Sequence, residues 1–563
     1  MGILFIVATN YFKVLMPQTF DNIVDLIAKD INDSTNTVFY KGMKLFGWFI
    51  AYALINTFFL FLTRQTIIVM SRLIEYDLKN EIYDKYQELS YSFYKVNSTG
   101  DIMNRISEDV SQIRMYLGPA IMYTINVAFL FVFVIYSMVS KNAELTLYVL
   151  APLPLMSYVI FKVSNRINKK SEKTQKQQSR LSTFVQEAFS GIIVLKAFGR
   201  ERFFSKEFDD ENETYKTASL SLAKTQALFA PIIISMIGLS TIITIYIGGL
   251  KVINDQLDVG DIAEFVIYVN MLTWPFASVG WVSSLVQRAA ASQKRVNEFL
   301  HTPIEIVEKA EPINEIIESL EFRNVNFTYP NTGIQALKNV SFKVSKGQTI
   351  ALTGKTGSGK STCATLVERL FDTSEGEVLF NGKNIKDFNI SEFRSQIGYV
   401  PQEVFLFSDT IKNNIAFGLA KDDVTDEMVI QAAKDAHIHH NIETFENKYE
   451  TKVGERGITL SGGQKQRVSI ARAIIRKPEI LIFDDCLSAV DTETEEIILD
   501  NLKRIMPNKI NIIIGHRISS IKHADHIVVM EDGVIIEQGS HDDLVAKEGW
   551  YSETYRKQLV EEK

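Results

Sequence analysis

Residues 354–361 read Gly-Lys-Thr-Gly-Ser-Gly-Lys-Ser, a spacing suited to phosphate. The pattern G-x-x-x-x-G-K-[ST] lets backbone N–H groups approach phosphate oxygens, because glycine leaves the main chain bare. An apolar run at 349–352 precedes it as a strand, and 362–370 follow as a helix. That helix N-terminus adds the positive end of its dipole. Gly354, Lys355, Thr356, Gly357, Ser358, Gly359 and Thr362 are thus candidate ATP contacts. Lys360 is placed to neutralise the β and γ phosphates, and Ser361 to ligate Mg²⁺. A second element, Ile480-Leu-Ile-Phe-Asp-Asp485, reads as a buried parallel strand ending in carboxylates. Asp484 can hold the Mg²⁺ shell there. Alone that pattern is weak; paired with the phosphate loop it is specific. ATP and Mg²⁺ are the expected cofactors.

The chain that positions these residues has two unlike halves. It has 563 residues, enough for two or three domains, and 46 % are hydrophobic. Nearly all the long apolar runs precede residue 290, and after 320 the chain reads as α/β. Six runs approach the ~20 residues that cross hydrocarbon as a helix. They lie near 2–25, 44–69, 118–139, 145–163, 229–253 and 262–286. The first is the weakest, with Asn10, Lys13 and Pro17. Lys13 stands out inside a span, either as a substrate contact or facing a wet cavity. The fold expected is an all-α six-helix transmembrane domain (1–301), a linker (302–319) and an α/β phosphate-loop ATPase domain (320–563).

The segments between spans alternate in length. Two are long and basic: 70–117 carries Arg72, Lys79, Lys85, Lys95, Arg105 and Arg114, and 164–228 carries twelve Lys and Arg. The positive-inside tendency puts both, and both termini, in the cytosol of a multi-pass protein of the cytoplasmic membrane. These segments lack proline and are rich in helix formers. They read as helices that leave the membrane by roughly 30–50 Å and turn back near 92–100 and 187–191. Neither a basic leader nor a small-residue cleavage site marks the N-terminus as a secretory signal. The first span starts directly after Met1, as if a short leading segment were missing. The net charge of −7, with no basic stripe, argues against nucleic acid. Cys363 and Cys486 are too few for a disulfide framework and read as free thiols.

With these pieces in order, the chain resembles the ABC transporter family. Leu460-Ser-Gly-Gly-Gln464, followed by Lys-Gln-Arg, is similar to its signature motif (Leu460, Ser461, Gly462, Gly463, Gln464). Gln402 in Val400-Pro-Gln-Glu resembles the Q-loop, Asp491 in Ser488-Ala-Val-Asp the D-loop, and His516 in Ile514-Gly-His-Arg the switch histidine. Tyr329 in Phe327-Thr-Tyr-Pro resembles the aromatic that stacks on adenine. The loop at 451–457 resembles the one that touches the membrane domain's turns in exporters. The likeness covers nearly the whole chain and is to bacterial half-size exporters, the class of multidrug pumps and the lipid A flippase. There is no room for an N-terminal peptidase domain.

The resemblance implies that two ATP are sandwiched between the phosphate loop of one chain and the signature of a second. Gln402 would sense the γ-phosphate and Mg²⁺, and His516 would contact the γ-phosphate and the attacking water. Export or leaflet flipping of hydrophobic or amphipathic cargo would follow by alternating access, and an ATP-gated channel or regulator is the alternative. One departure matters. The family usually carries Glu directly after the Mg²⁺ aspartate, and here Asp485 stands there. Asp is one methylene shorter, about 1 Å, enough to cost about 10²-fold in rate. This resembles the slow-site subunit of heterodimeric exporters; a homodimer in which Asp485 works slowly is the other reading.

Weaker signals have bland readings. His437, His439 and His440 with Asp435 could bind metal but read better as a solvated helix end. The tail 551–563 reads as an exposed helix.

Overall fold

The computed structural model describes the chain except residues 31–34, 308–316, 421–422, 455–456, 458, 487–491 and 562–563. Half of the expected linker (308–316) and Asp491 thus lie outside the described residues. The chain forms two compact units. One joins Met1–Gln87 to Gly100–Thr302, the other joins Glu88–Thr99 to Pro303–Lys563.

The first unit is helical. In chain order come α1 (Gly2–Asp30), α2 (Thr35–Glu88) and α3 (Tyr91–Val96), the last belonging to the second unit. Then follow α4 (Thr99–Asn104), α5 (Val110–Met115), α6 (Ile121–Lys141), α7 (Ala143–Leu150) and α8 (Pro152–Ser190). The set closes with α9 (Ile192–Ala197), α10 (Glu201–Ala227), α11 (Phe229–Ile253) and α12 (Val259–Leu300). Among the described residues, 6 helical stretches are long and apolar enough to cross a membrane.

The expected arms are present. α2 alone has 54 residues, about 80 Å of helix. α8 and α10 run side by side, tied by Lys170 Nζ to Thr225 Oγ1 at 2.8 Å, Gln177 Nε2 to Glu211 Oε2 at 2.6 Å and a Phe184–Phe204 ring contact. The first turn falls where expected, as α3. The second is centred later than 187–191: α8 runs on to Ser190, and the reversal uses Gly191, α9 and Gly199, which adopts φ +59°. The helical stretch that carries the third span, Thr99–Lys141, is not a plain α-helix either. Two π turns, Arg105–Asp109 and Tyr116–Ala120, interrupt it, the second holding Pro119. A proline removes an N–H and crowds the preceding turn, so the backbone widens there.

The bundle core gathers Val14, Leu130, Val134, Phe265, Tyr268 and Leu272. Among the bundle's buried polar groups, Asn10 Nδ2 donates to Asn126 Oδ1 at 2.9 Å. The most apolar stretch of α2 leaves none of its residues buried, so Trp48, Leu54, Phe58 and Phe61 face outward. That is apolar surface for lipid or another chain. Lys13, singled out by sequence, is only half-buried. Among the described residues, the bundle instead buries the charged Asp21, Asp109, Lys251, Asp261 and Glu264, with Glu264 at 0 % exposure.

The second unit is α/β. Its strands are β1 (Ser319–Thr328), β2 (Gln335–Ser345), β3 (Thr349–Gly354), β4 (Glu375–Phe380) and β5 (Lys383–Asn384), then β6 (Ile397–Val400), β7 (Ile480–Asp484), β8 (Ile510–Ile514), β9 (His526–Glu531) and β10 (Val534–Gly539). An antiparallel sheet has the order β2-β1-β4-β5. The larger sheet runs β10-β9-β3-β8-β7-β6 and is parallel except for β10. Every residue of β7 and β8 is buried, as a parallel sheet covered on both faces requires.

Helices α13 (Lys360–Val367), α14 (Ile390–Ser395), α15 (Ile411–Ala416), α16 (Asp426–Asp435), α17 (His439–Glu443) and α18 (Gly462–Ile474) come next, and α19 (Thr492–Ile505), α20 (Ile518–Ile521), α21 (His541–Ala546) and α22 (Trp550–Glu561) follow. The tail is a helix but not a wholly exposed one, since Tyr551 and Ser552 are buried at 0 % and 1 % exposure. The histidine cluster is partly packed: His439 Nδ1 meets the Tyr449 hydroxyl at 2.8 Å, and the His437 and His440 rings lie 4.5 Å apart.

Candidate nucleotide-binding site

Four parallel strands end side by side and each delivers a functional group. β3 runs into the phosphate loop, β7 ends in Asp484 and Asp485, β8 leads to His516, and β6 leads to Gln402. Ligands of open parallel sheets sit beyond these carboxyl ends. A cavity of about 580 Å³ lies there, lined by Tyr329, Thr356–Thr362, Gln402, Asp484, Asp485 and His516 among others.

The loop can curl this tightly only because of glycine. Gly359 has φ +99°, and a Cβ there would fall 2.5 Å from Ala336 O. Within the loop, Lys360 Nζ donates to Gly354 O at 3.0 Å and Lys355 O at 2.8 Å. Burial holds the Lys360 ammonium below its ordinary pKa, so an anion there recovers lost solvation. Gly354 and Lys355 do not line the cavity. The Lys355 side chain instead pairs with Glu531.

Ser361 Oγ donates to Asp484 Oδ1 at 2.9 Å, and the Tyr399 hydroxyl donates to Asp484 Oδ2 at 3.4 Å. Burial pushes the Asp484 carboxyl up, an effect that the Ser361 hydrogen bond opposes. Hard oxygen donors around a desolvated carboxylate fit Mg²⁺. Asp485 adopts φ +44°, a left-handed backbone that aspartate tolerates better than most residues. Its N–H donates to Ile514 O at 2.8 Å, and its Oδ2 accepts from Gln402 Nε2 at 3.2 Å. Burial and the charge of Lys360 hold the His516 imidazole below its ordinary value of 6.5, against the opposing pull of Asp485.

Ser461 caps α18: its Oγ accepts from Gln464 N at 3.3 Å while Gln464 Oε1 accepts from Ser461 N at 3.0 Å. Leu460 is buried, whereas Ser461 and Gly462 are exposed. None of the residues 460–464 lines the cavity.

This geometry agrees with two family profiles. Residues 1–276 match the family described as ABC transporter transmembrane region and residues 337–488 match the family described as ABC transporter. A probable multidrug resistance ABC transporter ATP-binding/permease protein of Bacillus subtilis is 33 % identical over 561 residues, covering 99 % of this chain and 95 % of its own. The chain belongs to the ABC transporter family. An ATP-dependent lipid A-core flippase of Syntrophus aciditrophicus is 32 % identical over 489 residues, covering 86 % of this chain and 81 % of its own. A bacterial Atm1-family ABC exporter with ATP bound has a similar structure, with a TM-score of 0.79 and 25 % identity over 99 % of this chain and 97 % of that one. This ABC transporter is a multi-pass membrane protein whose ATPase drives transport.

The transporter's site also holds partners that sequence did not mark. Lys95 of α3 places its ammonium 4.7 Å from the Tyr329 ring centroid, within cation–π range. Tyr91 and Tyr329 both meet Phe371 edge-on, and the Tyr329 hydroxyl lies 3.0 Å from Thr362 Oγ1. Gln558 of α22 donates to His516 O at 2.9 Å and accepts from Ile518 N at 2.7 Å, which pins the histidine's backbone. The basic character of 70–117 was the only sequence signal for Lys95, and nothing in the pattern pointed to Gln558.

Proposed function

We propose that this chain is one half of an exporter that uses ATP to move hydrophobic or amphipathic molecules, such as drugs or lipids, out across the cytoplasmic membrane. The nucleotide-binding unit would lie in the cytosol. One observation carries the reading: six membrane-crossing stretches share a chain with a full phosphate site whose own signature, residues 460–464, stands off the cavity. A second chain's signature supplies what is missing, so the working unit is a dimer. The relatives named for multidrug resistance and lipid A flipping support the cargo class.

In this reading Tyr329 stacks on adenine and the loop 356–362 holds the phosphates. Ser361, Asp484 and Gln402 would hold Mg²⁺, which supplies charge neutralisation between the β and γ phosphates. Lys360 leaves its carbonyl partners for phosphate oxygens. Asp485 is the group placed to orient the attacking water, and His516 is placed to donate to the γ-phosphate. Ser461–Gln464 serve the partner's ATP from the N-terminus of α18.

Asp485 also sets the partner. Its carboxylate is one methylene short of the usual glutamate, so this chain's own loop forms a slow site. The partner is a different half-transporter that carries the glutamate. The test is ATP hydrolysis by the purified chain in lipid. Slow turnover that hydrophobic drugs or lipids stimulate is expected. Turnover indifferent to every such compound, with ATP-gated conductance across the same bilayer, would point to a channel instead.

A further inference from the structure

Three helix ends meet at the end of the bundle away from the arms: the C-terminal ends of α1 and α6, and the start of α12. Lys141 of α6 reaches into the junction. Its Nζ lies 2.7 Å from Asp21 Oδ2, 2.8 Å from Asp261 Oδ1 and 3.4 Å from Glu264 Oε2. Gly260 makes the approach possible, since a Cβ there would fall 2.2 Å from Asp21 Oδ1. Its N–H donates to Asp25 Oδ1 at 2.7 Å.

The charges do not balance. Three carboxylates face one ammonium, and Asp21, Asp261 and Glu264 are at most 7 % exposed. Burying uncompensated charge is costly. Glu264 bears that cost most directly: it is 0 % exposed, and apart from its ion pair with Lys141 neither carboxylate oxygen has a hydrogen-bond partner among the described residues. The nearby donors are engaged elsewhere. Asp261 Oδ2 accepts from Asp258 N at 2.8 Å, and the Tyr268 hydroxyl donates to Val14 O at 3.1 Å. The neighbouring α11 and α7 pair Lys251 with Glu144 at 2.7 Å. The groups that decide the charge around Glu264 are therefore Asp21 and Asp25 from α1, Lys141 from α6, and Asp261 and Tyr268 from α12.

We propose that Glu264 is a proton-binding site that latches these three helix ends together. In the packed arrangement Glu264 carries the proton as a carboxylic acid, which lowers the buried negative charge. When the ends part, the O–H bond breaks, the electron pair stays on the carboxylate and the proton passes to water. A hydrated carboxyl is ionised at neutral pH. A divalent ion is the competing occupant, because carboxylate oxygens of Asp21, Asp261 and Glu264 lie within 4.8 Å of one another. Lys141 Nζ already stands among them, so such an ion would have to displace it.

The sign follows from linkage. The packed state binds one more proton than the parted state, so falling pH holds the ends closed. Rising pH favours opening, by up to about tenfold per pH unit. The inference rests on the proposed export cycle only in requiring that these ends part.

Ser137 of α6, 8 % exposed, is a suitable reporter beside Gln18 of α1. Ser137→Cys is labelled with a maleimide in lipid nanodiscs, with and without Mg-ATP, between about pH 6 and 8. The rate is divided by that of Tyr136→Cys, whose parent side is 72 % exposed, to cancel the thiol's own titration. Cys363 and Cys486, at 1 % and 2 % exposure, stay silent.

The expected result is a ratio that rises with pH in Mg-ATP and becomes low and flat in Glu264→Gln, a neutral mimic of the acid. Glu264→Asp, which keeps a titratable carboxyl, should retain the rise. A ratio that responds to ATP but not to pH overturns the proton site while leaving the export cycle standing. A ratio that responds to neither overturns both. Protection by Mn²⁺ in nucleotide-free protein, lost in Glu264→Gln, would replace the proton by a metal. Should Glu264→Gln fail to fold, a flat wild-type profile still overturns the proposal.

Discussion

Replacing Lys360 with alanine is expected to lower ATP turnover of the chain purified alone by roughly 10²–10³-fold, the loss typical of removing one preorganised charge-stabilising group. Lys360 is only 5 % exposed and is held at the floor of the cavity by Gly354 O and Lys355 O. In the proposed ATP complex its ammonium would meet the phosphates with little solvent to screen it. Because Lys360 also cross-links its own loop, ATP binding and thermal unfolding should be measured on the same sample. Arginine is not expected to rescue, since a planar fork cannot occupy the space of a compact ammonium. Near-normal turnover in Lys360→Ala would mean that another site hydrolyses the ATP.

The second large effect has the opposite sign. Asp485→Glu is expected to raise turnover of the chain purified alone by about 10²-fold, by restoring reach to the attacking water. The backbone at Asp485 is already left-handed, at φ +44°. Glutamate is less at ease there than aspartate, so a small loss of thermal stability should accompany the gain. The carboxylate must also keep its place beside Gln402, now 3.2 Å away. An unchanged or lower rate, in protein that still folds and binds ATP, removes the argument for a slow site. The chain would then be read as a homodimer in which Asp485 suffices.

How much of this was legible in sequence depended on how local the signal was. The phosphate loop is contiguous, and its chemistry could be read from 354–361 alone. Asp484, Gln402 and His516 are far apart in the chain, yet each follows a short apolar run, and the parallel sheet brings those strand ends together. The long arms were visible as proline-free stretches of helix formers.

Contacts between distant segments were not visible. Lys95 over Tyr329 and Gln558 on His516 depend on tertiary packing, and no spacing rule encodes them. The π turn at Pro119 was hidden because a proline in an apolar run signals a break without saying how the backbone absorbs it. The charge junction shows the same limit. Asp21, Lys141 and Glu264 could each be seen as charges near span ends, but only the fold shows that one ammonium serves three carboxylates.

The central claim is that ATP hydrolysis by the dimer this chain forms drives amphipathic molecules across the membrane. The most direct test is accumulation of a fluorescent lipid or drug by inside-out vesicles containing the chain together with its partner subunit. The account predicts uptake that requires Mg-ATP. ATP hydrolysis with no movement of any lipid or drug, or movement that persists without ATP, would contradict it.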